Sequence, residues 1–185
     1  MKVRINLDQA LRLVGTNEKG HETFFDTSLK GGGLDSAPSP MEVVLESVAA
    51  CTAMDVIPIL RKQRKTVTDF SVDVSAERAE DHPKVFTKIE MQIRVVSPDA
   101  TIKDLCRAIE LSRTKYCSVS AMLRKSGCEI TWLGTLVSPF GDEVQCGLSE
   151  FKSGPSEKTT EIPPSTNGHS RDQEKVLNNE LNSID

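Results

Sequence analysis

Two cysteines stand in the parts of this chain with the strongest secondary-structure signals. Cys51 lies in an apolar stretch of helical periodicity that begins at Ser39, and Cys117 directly precedes Ser118 at the predicted start of another helix. Reactive-thiol chemistry needs two such groups, one that is oxidised and one that resolves the oxidised sulfur. The two cysteines are therefore candidates for a pair that cycles between dithiol and disulfide, if the fold brings them together.

All five cysteines also have a simpler interpretation, because free cysteine is among the most buried residue types and often packs as a small hydrophobe. The alanine neighbours of Cys51 would suit an inert core position as well. Cys106 and Cys128 are predicted to be core residues, and Cys146 falls in a polar segment where we expect it to be incidental. With no Cys-x-x-Cys pair and no cysteine–histidine cluster, a disulfide scaffold or structural zinc site is disfavoured. We expect the cysteines to be reduced at rest.

Composition limits the class of protein. The chain has 185 residues, of which 37% are hydrophobic, and a net charge of −4, which favours one ordinary domain with surplus length and argues against nucleic-acid binding. The N-terminus alternates charged and apolar residues where a signal peptide would be continuously apolar, and no run approaches about 18 apolar residues. The sequence therefore predicts a cytoplasmic protein that does not enter a membrane.

The helix that carries Cys51 has a well-marked start. Ser39 suits the N-cap, Pro40 the first helical position, and Glu42 completes a capping box. Apolar residues of helical period then predict a helix to about Arg64, kinked at Pro58.

Alternating patterns predict the strands. Residues 3–7 form a first strand, with a hairpin partner in 10–14 or 22–27. Residues 70–76 and 85–95 form an antiparallel hairpin, and 128–132 a last strand. Ser97 and Pro98 predict the start of a second helix that carries Cys106, and a short helix follows Cys117 at about 118–126. We predict a domain over residues 1–135 and a polar tail over 136–185, disordered from 145 onward.

Four segments carry a further signal because they occur together and in a particular order. They are residues 39–42, 50–55, 82–89 and 116–120. In their residues and their spacing they resemble the OsmC/Ohr family, which comprises the osmotically inducible protein C and the organic hydroperoxide resistance proteins. The resemblance covers roughly residues 1–133 and is closer to the OsmC-like branch than to the Ohr branch.

The resemblance implies an α+β fold in which a strongly bent antiparallel sheet wraps around two main helices, and an intertwined homodimer with its sites at the subunit interface. It implies that Cys51 attacks a small-molecule hydroperoxide, that Cys117 resolves the product as a disulfide, and that an external dithiol, of unknown identity, reduces it. No metal or other cofactor is implied.

The chain departs from the pattern of the family's peroxidases at two supporting positions. Those proteins carry a glutamate one residue after the proline that opens the helix, and an arginine from the preceding loop. Here Met41 follows Pro40, and Glu42 stands one place later, where it is either a catalytic residue or only the capping-box residue. No arginine lies between Arg12 and Arg61, so Lys19 and Lys30 are the loop cations that could replace it.

Asp55 lies one helical turn beyond Cys51, and we interpret it as a polar residue near the interface. The departures leave two functions open. One is a thiol peroxidase. The other is a non-catalytic dimeric protein that binds a small apolar ligand or senses redox state.

Overall fold

The computed structural model describes residues 1–147 of the chain. Its strands are β1 (Val3–Gln9), β2 (Arg12–Asn17), β3 (Glu22–Phe25), β4 (Asp69–Arg78), β5 (Phe86–Val96), β6 (Glu129–Val137) and β7 (Glu143–Gly147). Its α-helices are α1 (Pro40–Lys62), α2 (Ile102–Leu111) and α3 (Ser118–Lys125). A 3-10 turn covers Leu29–Gly31, and a π-helical turn over Ser112–Tyr116 joins α2 to α3. The α+β class predicted from the sequence is confirmed.

The strands form two sheets rather than the single bent antiparallel sheet that we expected. One has the order β1-β2-β3 and is antiparallel, and the other has the order β4-β5-β6-β7. Within the second sheet β5 and β6 run parallel, while β4–β5 and β6–β7 are antiparallel. Parallel pairing needs a long crossover between the strands, and α2, the π turn and α3 supply it.

The start of α1 is as predicted. The Ser39 side chain accepts a hydrogen bond of 3.3 Å from the backbone N–H of Glu42, and the Glu42 carboxylate accepts one of 2.6 Å from the backbone N–H of Ser39. Pro40 occupies the first turn, where a missing N–H costs nothing. The capping box therefore fixes where the helix that carries Cys51 begins.

The predicted start of α2 is wrong. Ser97 is buried and uses its hydroxyl to accept the N–H of Ala100 in a turn ahead of the helix. Thr101 is the N-cap, and Asp104 completes its capping box. The serine–proline pair resembles a helix start because both residue types also suit turns.

Helix α1 buries one stripe against the second sheet and α2. The stripe consists of Val48, Thr52, Val56 and Leu60. The facing core residues come from β5 and α2 and are Ile89, Met91, Ile93, Val95, Leu105, Ala108 and Ile109. Because α2 leads directly into the π-helical turn that ends before Cys117, this packing also places α1 beside the segment that carries the second cysteine.

The described fold continues past residue 135, where the sequence placed the start of a polar tail. Strand β6 runs to Val137, and β7 pairs with it antiparallel. The strand β7 has few apolar residues and lies at a sheet edge, which is why periodicity did not reveal it. The rest of the predicted tail lies outside the described residues.

Two cysteine predictions are wrong. Cys146 lies on β7 and forms a disulfide with Cys106 on α2, with a Cα–Cα distance of 6.1 Å. Cys146 is therefore not incidental, and the cysteines are not all reduced. Cys128 is a buried free thiol, as predicted.

Much apolar surface remains uncovered in one chain. Val3, Ile5 and Leu7 on β1 are 71%, 51% and 66% exposed. Helix α1 is long and apolar enough to cross a membrane by length and composition alone, with a mean hydropathy of 1.8. A core helix of a soluble protein can pass the same test. Only 22% of the most apolar window of α1 is buried within the described fold.

Candidate active site

Cys51 lies in the middle of α1 and is half-buried. Its neighbour Thr52 belongs to the buried stripe of the helix, so Cys51 stands at the edge of that stripe rather than in its centre. Asp55 follows four residues later and therefore shares its helix face. The helix thus presents a thiol and a carboxylate side by side.

Cys117 reaches the same place from the other side of the core. It follows the π-helical turn and is the N-cap of α3, where its sulfur accepts a hydrogen bond of 3.4 Å from the N–H of Ser120. Its own N–H donates to the carbonyl of Ser112 at 2.9 Å. The side chain is only 2% exposed. The turn and the helix start therefore hold this thiol in one orientation.

The fold brings the two cysteines together. The sulfurs of Cys51 and Cys117 and a carboxylate oxygen of Asp55 all lie within 4.8 Å of one another. The hydroxyl oxygen of Thr52 lies 3.9 Å from the Cys117 sulfur. Two thiols at this separation can form a disulfide after a small side-chain movement.

The two thiols differ in environment. Burial, and secondarily the neighbouring Cys51, raise the pKa of the Cys117 thiol to about 11, and the N–H of Ser120 offsets only part of this effect. The sequence had suggested that the start of α3 would favour a thiolate at Cys117. Desolvation outweighs that favourable contact, so Cys117 is protonated at neutral pH.

Asp55 belongs to the site, whereas we had interpreted it as a polar residue near an interface. Its carboxylate accepts a hydrogen bond of 2.8 Å from the hydroxyl of Ser112, which is 1% exposed. The four-residue spacing from Cys51 was the available signal for Asp55. Nothing local in the sequence pointed to Ser112, because its contact joins separate elements.

Glu42 and Cys51 lie on the same helix, α1, but far apart along it. Nine residues separate it from Cys51, which at about 1.5 Å and 100° per residue puts it roughly 13 Å along the axis and on the opposite face. Its carboxylate is engaged by Ser39, whose hydrogen bonds lower the pKa of Glu42. Met41, in the position of the family's glutamate, packs against the apolar core. The observed contacts of Glu42 are those of a capping-box residue.

The loop lysines make no contact with the thiols within residues 1–147. Lys19 lies in the turn between β2 and β3 and Lys30 in the 3-10 turn, and both are exposed. No ion pair or hydrogen bond joins either side chain to Cys51 or Cys117 in this part of the chain. Neither replaces the family's arginine within one chain.

A cleft of about 630 Å³ opens beside the site between α1 and α2. Asp55 and Tyr116 lie on its wall and connect it to the cysteine cluster. The remaining wall mixes apolar residues with residues of both charges, and consists of Met54, Pro58, Ile59, Lys62, Gln63, Asp104, Arg107 and Leu111. The cleft can hold a partly apolar molecule close to Asp55, which belongs to the cysteine cluster.

The sequence of this chain is similar to those of known proteins. The profile of the family described as OsmC-like protein matches residues 32–133. Protein YhfA of Escherichia coli strain K12 is 39% identical over 126 residues, which cover 68% of this chain and 91% of the relative. The chain belongs to the OsmC-like family.

Solved structures share this fold. A hypothetical protein from Aquifex aeolicus superposes with a TM-score of 0.62 at 31% identity, covering 73% of this chain and 96% of the other. An organic hydroperoxide resistance protein OsmC from Legionella pneumophila has a TM-score of 0.52 at 14% identity, covering 75% and 97%. At that identity the second similarity establishes the fold alone.

Proposed function

We propose that this OsmC-like protein is a thiol peroxidase that reduces organic hydroperoxides through Cys51 and Cys117. The observation that supports this proposal is the approach of the two sulfurs, which lie within 4.8 Å of each other across two separate helices. A free thiol beside a second free thiol is the arrangement that a sulfenic-acid cycle requires.

The reaction balances with these two residues and one dithiol. The Cys51 thiolate attacks the distal oxygen of the hydroperoxide, so a sulfur–oxygen bond forms, the peroxide bond breaks and the alcohol leaves with a proton. Cys117 then attacks the Cys51 sulfur, which forms the disulfide and releases water. An external dithiol, itself oxidised to a disulfide, restores both thiols.

The environments of the thiols support this division of roles. Cys51 is half-buried, whereas Cys117 is 2% exposed. Because burial raises the pKa of Cys117 to about 11, it is a poor attacking group toward a hydroperoxide from solution. Its attack on the Cys51 sulfenic acid is instead aided by proximity, and the thiol proton leaves with the departing hydroxide as water. A buried thiol held beside Cys51 is suited to intercept the sulfenic acid before further oxidation.

The cleft supports an organic rather than an inorganic substrate. Its walls include the side chains of Met54, Ile59 and Leu111, which would bury an alkyl or aryl group. The Legionella pneumophila neighbour carries the name organic hydroperoxide resistance protein. We extend that substrate class to this chain as part of the proposal.

We further propose that the active form is a homodimer. The uncovered side chains of β1 and the low burial of α1 leave more apolar surface than a monomer in water ordinarily exposes. A second copy of the chain would cover the same patch on both subunits. We expect the protein to act in the cytoplasm, where dithiol reductants are available.

The test uses the full chain with tert-butyl hydroperoxide and dithiothreitol. Cys51→Ser should reduce hydroperoxide consumption to the uncatalysed rate. Cys117→Ser should still react once and leave a sulfenic acid at Cys51 that dimedone labels. Cys128→Ser, which removes a buried thiol outside the site, is the matched control. Consumption that is unaffected by Cys51→Ser would refute the proposal.

The cleft also supports a second candidate function, the binding of a small apolar ligand without turnover. Lys62 and Arg107 on its wall offer partners for a ligand carboxylate, and the acidic Asp55 and Asp104 line the same wall. Dodecanoate is a suitable probe for calorimetry. Binding of dodecanoate by a wild-type protein that consumes no hydroperoxide with any dithiol would favour this function over the peroxidase.

A further inference from the structure

The cysteine cluster contains a third potential ligand that the peroxide reaction does not use. Cys51 and Asp55 project from one face of α1, and Cys117 comes from the start of α3, with one donor atom from each residue within 4.8 Å of the others. Zinc binds thiolate sulfur at about 2.3 Å and carboxylate oxygen at about 2.0–2.2 Å, so neighbouring donors in a tetrahedral site lie roughly 3.5–3.8 Å apart. The donors here therefore need to approach one another by no more than about 1.3 Å.

The charges of the cluster favour a cation. Within residues 1–147, no lysine, arginine or histidine forms an ion pair or hydrogen bond with Asp55 or with either sulfur. A carboxylate disfavours thiolates beside it unless a positive charge intervenes. A divalent cation would offset two of the three negative charges of two thiolates and a carboxylate, and the thiolates would select a thiophilic ion.

The surroundings of the cluster are organised as they are around metal ligands. The hydroxyl of Ser112 holds one oxygen of Asp55 at 2.8 Å, and the N–H of Ser120 points to the sulfur of Cys117 at 3.4 Å. Such outer hydrogen bonds fix the direction in which ligands bind. Asp55 lines the cleft, and we expect water to reach the cluster from that side as a fourth ligand.

We propose that Cys51, Asp55 and Cys117 form a binding site for a thiophilic divalent cation such as Zn²⁺, with water as the fourth ligand. Binding displaces the two thiol protons and requires no oxidant or reductant. It is independent of the peroxidase proposal, but the two reactions exclude each other, because a metal-bound Cys51 is not free to attack peroxide and a Cys51–Cys117 disulfide has no thiolates to offer.

The experiment titrates reduced, metal-free full-length protein with Co²⁺ under anaerobic conditions. We expect one ion per chain, a sulfur-to-cobalt charge-transfer band in the near ultraviolet and the visible bands of a tetrahedral site. Zn²⁺ should displace Co²⁺. Protein oxidised to the Cys51–Cys117 disulfide should show no band.

Variants identify the ligands. Cys51→Ser or Cys117→Ser should lower the charge-transfer intensity per bound ion to about half, since one of two thiolates is lost. Asp55→Asn should weaken Zn²⁺ binding by about tenfold or more. The controls are Cys128→Ser, Asp73→Asn on the exposed face of β4, and a double serine variant of Cys106 and Cys146. These should bind as wild type does.

No charge-transfer band in wild type, or a band that persists unchanged when Cys51 and Cys117 are both replaced, would overturn the proposal. Circular dichroism establishes that each variant is folded. Hydroperoxide consumption is measured separately in the presence of a chelator. A protein that consumes peroxide but binds no metal would refute this inference alone, and one that binds metal but consumes no peroxide would refute only the peroxidase.

Discussion

The carboxylate of Asp55 on α1 accepts a hydrogen bond of 2.8 Å from the hydroxyl of Ser112, which belongs to the π-helical turn that precedes Cys117. Ser112 also accepts the backbone N–H of Cys117 through its carbonyl, at 2.9 Å. One residue therefore orients both the acidic group next to Cys51 and the backbone that carries Cys117. The separation of the two thiols depends on this link between α1 and the crossover.

Removing the Ser112 hydroxyl should loosen the link. Ser112→Ala should lower the free energy of unfolding by about 1–2 kcal/mol, since a hydrogen bond to a charged group is lost in a buried setting. It should also slow formation of the Cys51–Cys117 disulfide after one equivalent of hydroperoxide. Urea unfolding and non-reducing mass spectrometry measure the two effects.

Ser47→Ala provides the comparison for this prediction. The Ser47 hydroxyl donates to the carbonyl of Val43 within α1 and is exposed. It should change stability by less than about 0.5 kcal/mol. Equal effects of the two substitutions would mean that the Asp55–Ser112 contact contributes no more to stability than an exposed hydrogen bond within a helix.

Acid should weaken the loop that leads into α1 in a narrow pH range. Asp26 is 2% exposed. Burial alone would raise its pKa, but hydrogen bonds from the hydroxyl and N–H of Ser36 and the N–H groups of Thr27 and Leu34 outweigh burial and lower the pKa to about 2. Because the folded pKa is lower than the unfolded value, the charged carboxylate stabilises the fold above about pH 4. This stabilisation is lost as the pH falls through about 2.

The measurement compares wild type with Asp26→Asn in urea at several pH values. We expect the variant to unfold at lower urea concentration at pH 7 and the difference to shrink between about pH 4 and pH 2. Asp35→Asn, in the same loop, is the matched control. A difference between wild type and Asp26→Asn that stays constant across this range would show that the charge of Asp26 is not responsible.

The elements that could be predicted from the sequence are those whose signals lie within a few residues. The α1 capping box spans only Ser39 to Glu42, and the structure forms it as predicted. The predicted start of α2 was wrong because a local pattern can suit more than one structure. Ser97 and Pro98 satisfy the local pattern, but the Ser97 side chain is engaged in a turn, and only the fold decides between two local uses.

The candidate site was predictable only where the family resemblance or helical spacing reached it. Resemblance indicated Cys51 and Cys117, and spacing placed Asp55 on the face of Cys51. Neither could show that burial dominates at Cys117, because the depth of a thiol depends on strands and helices far away in the chain. The disulfide between Cys106 and Cys146 could not be predicted from the sequence either, because it depends on an edge strand with little apolar pattern.

The disulfide between Cys106 and Cys146 should stabilise the described fold. It closes a segment with a sequence separation of 40, and cross-links of this kind typically contribute about 2–4 kcal/mol. Cys146→Ser should therefore lower the melting temperature under non-reducing conditions. Dithiothreitol should lower the melting temperature of wild type to that of the variant and leave the variant unchanged. Alkylation of non-reduced protein that blocks Cys106 or Cys146 would show that the bond is absent.

Two truncations should separate the edge strand from the residues beyond it. A chain that ends at Gly147 keeps β7 and Cys146, and because the sequence after it is polar with few apolar residues, its stability should stay within about 0.5 kcal/mol of wild type. A chain that ends at Asp142 loses β7 pairing with β6 and the link to Cys106. It should lose at least about 2–4 kcal/mol. Urea unfolding and thermal melting measure both. If the longer truncation product is destabilised as much as the shorter one, residues beyond 147 contribute to the fold, and the polar-tail prediction is wrong.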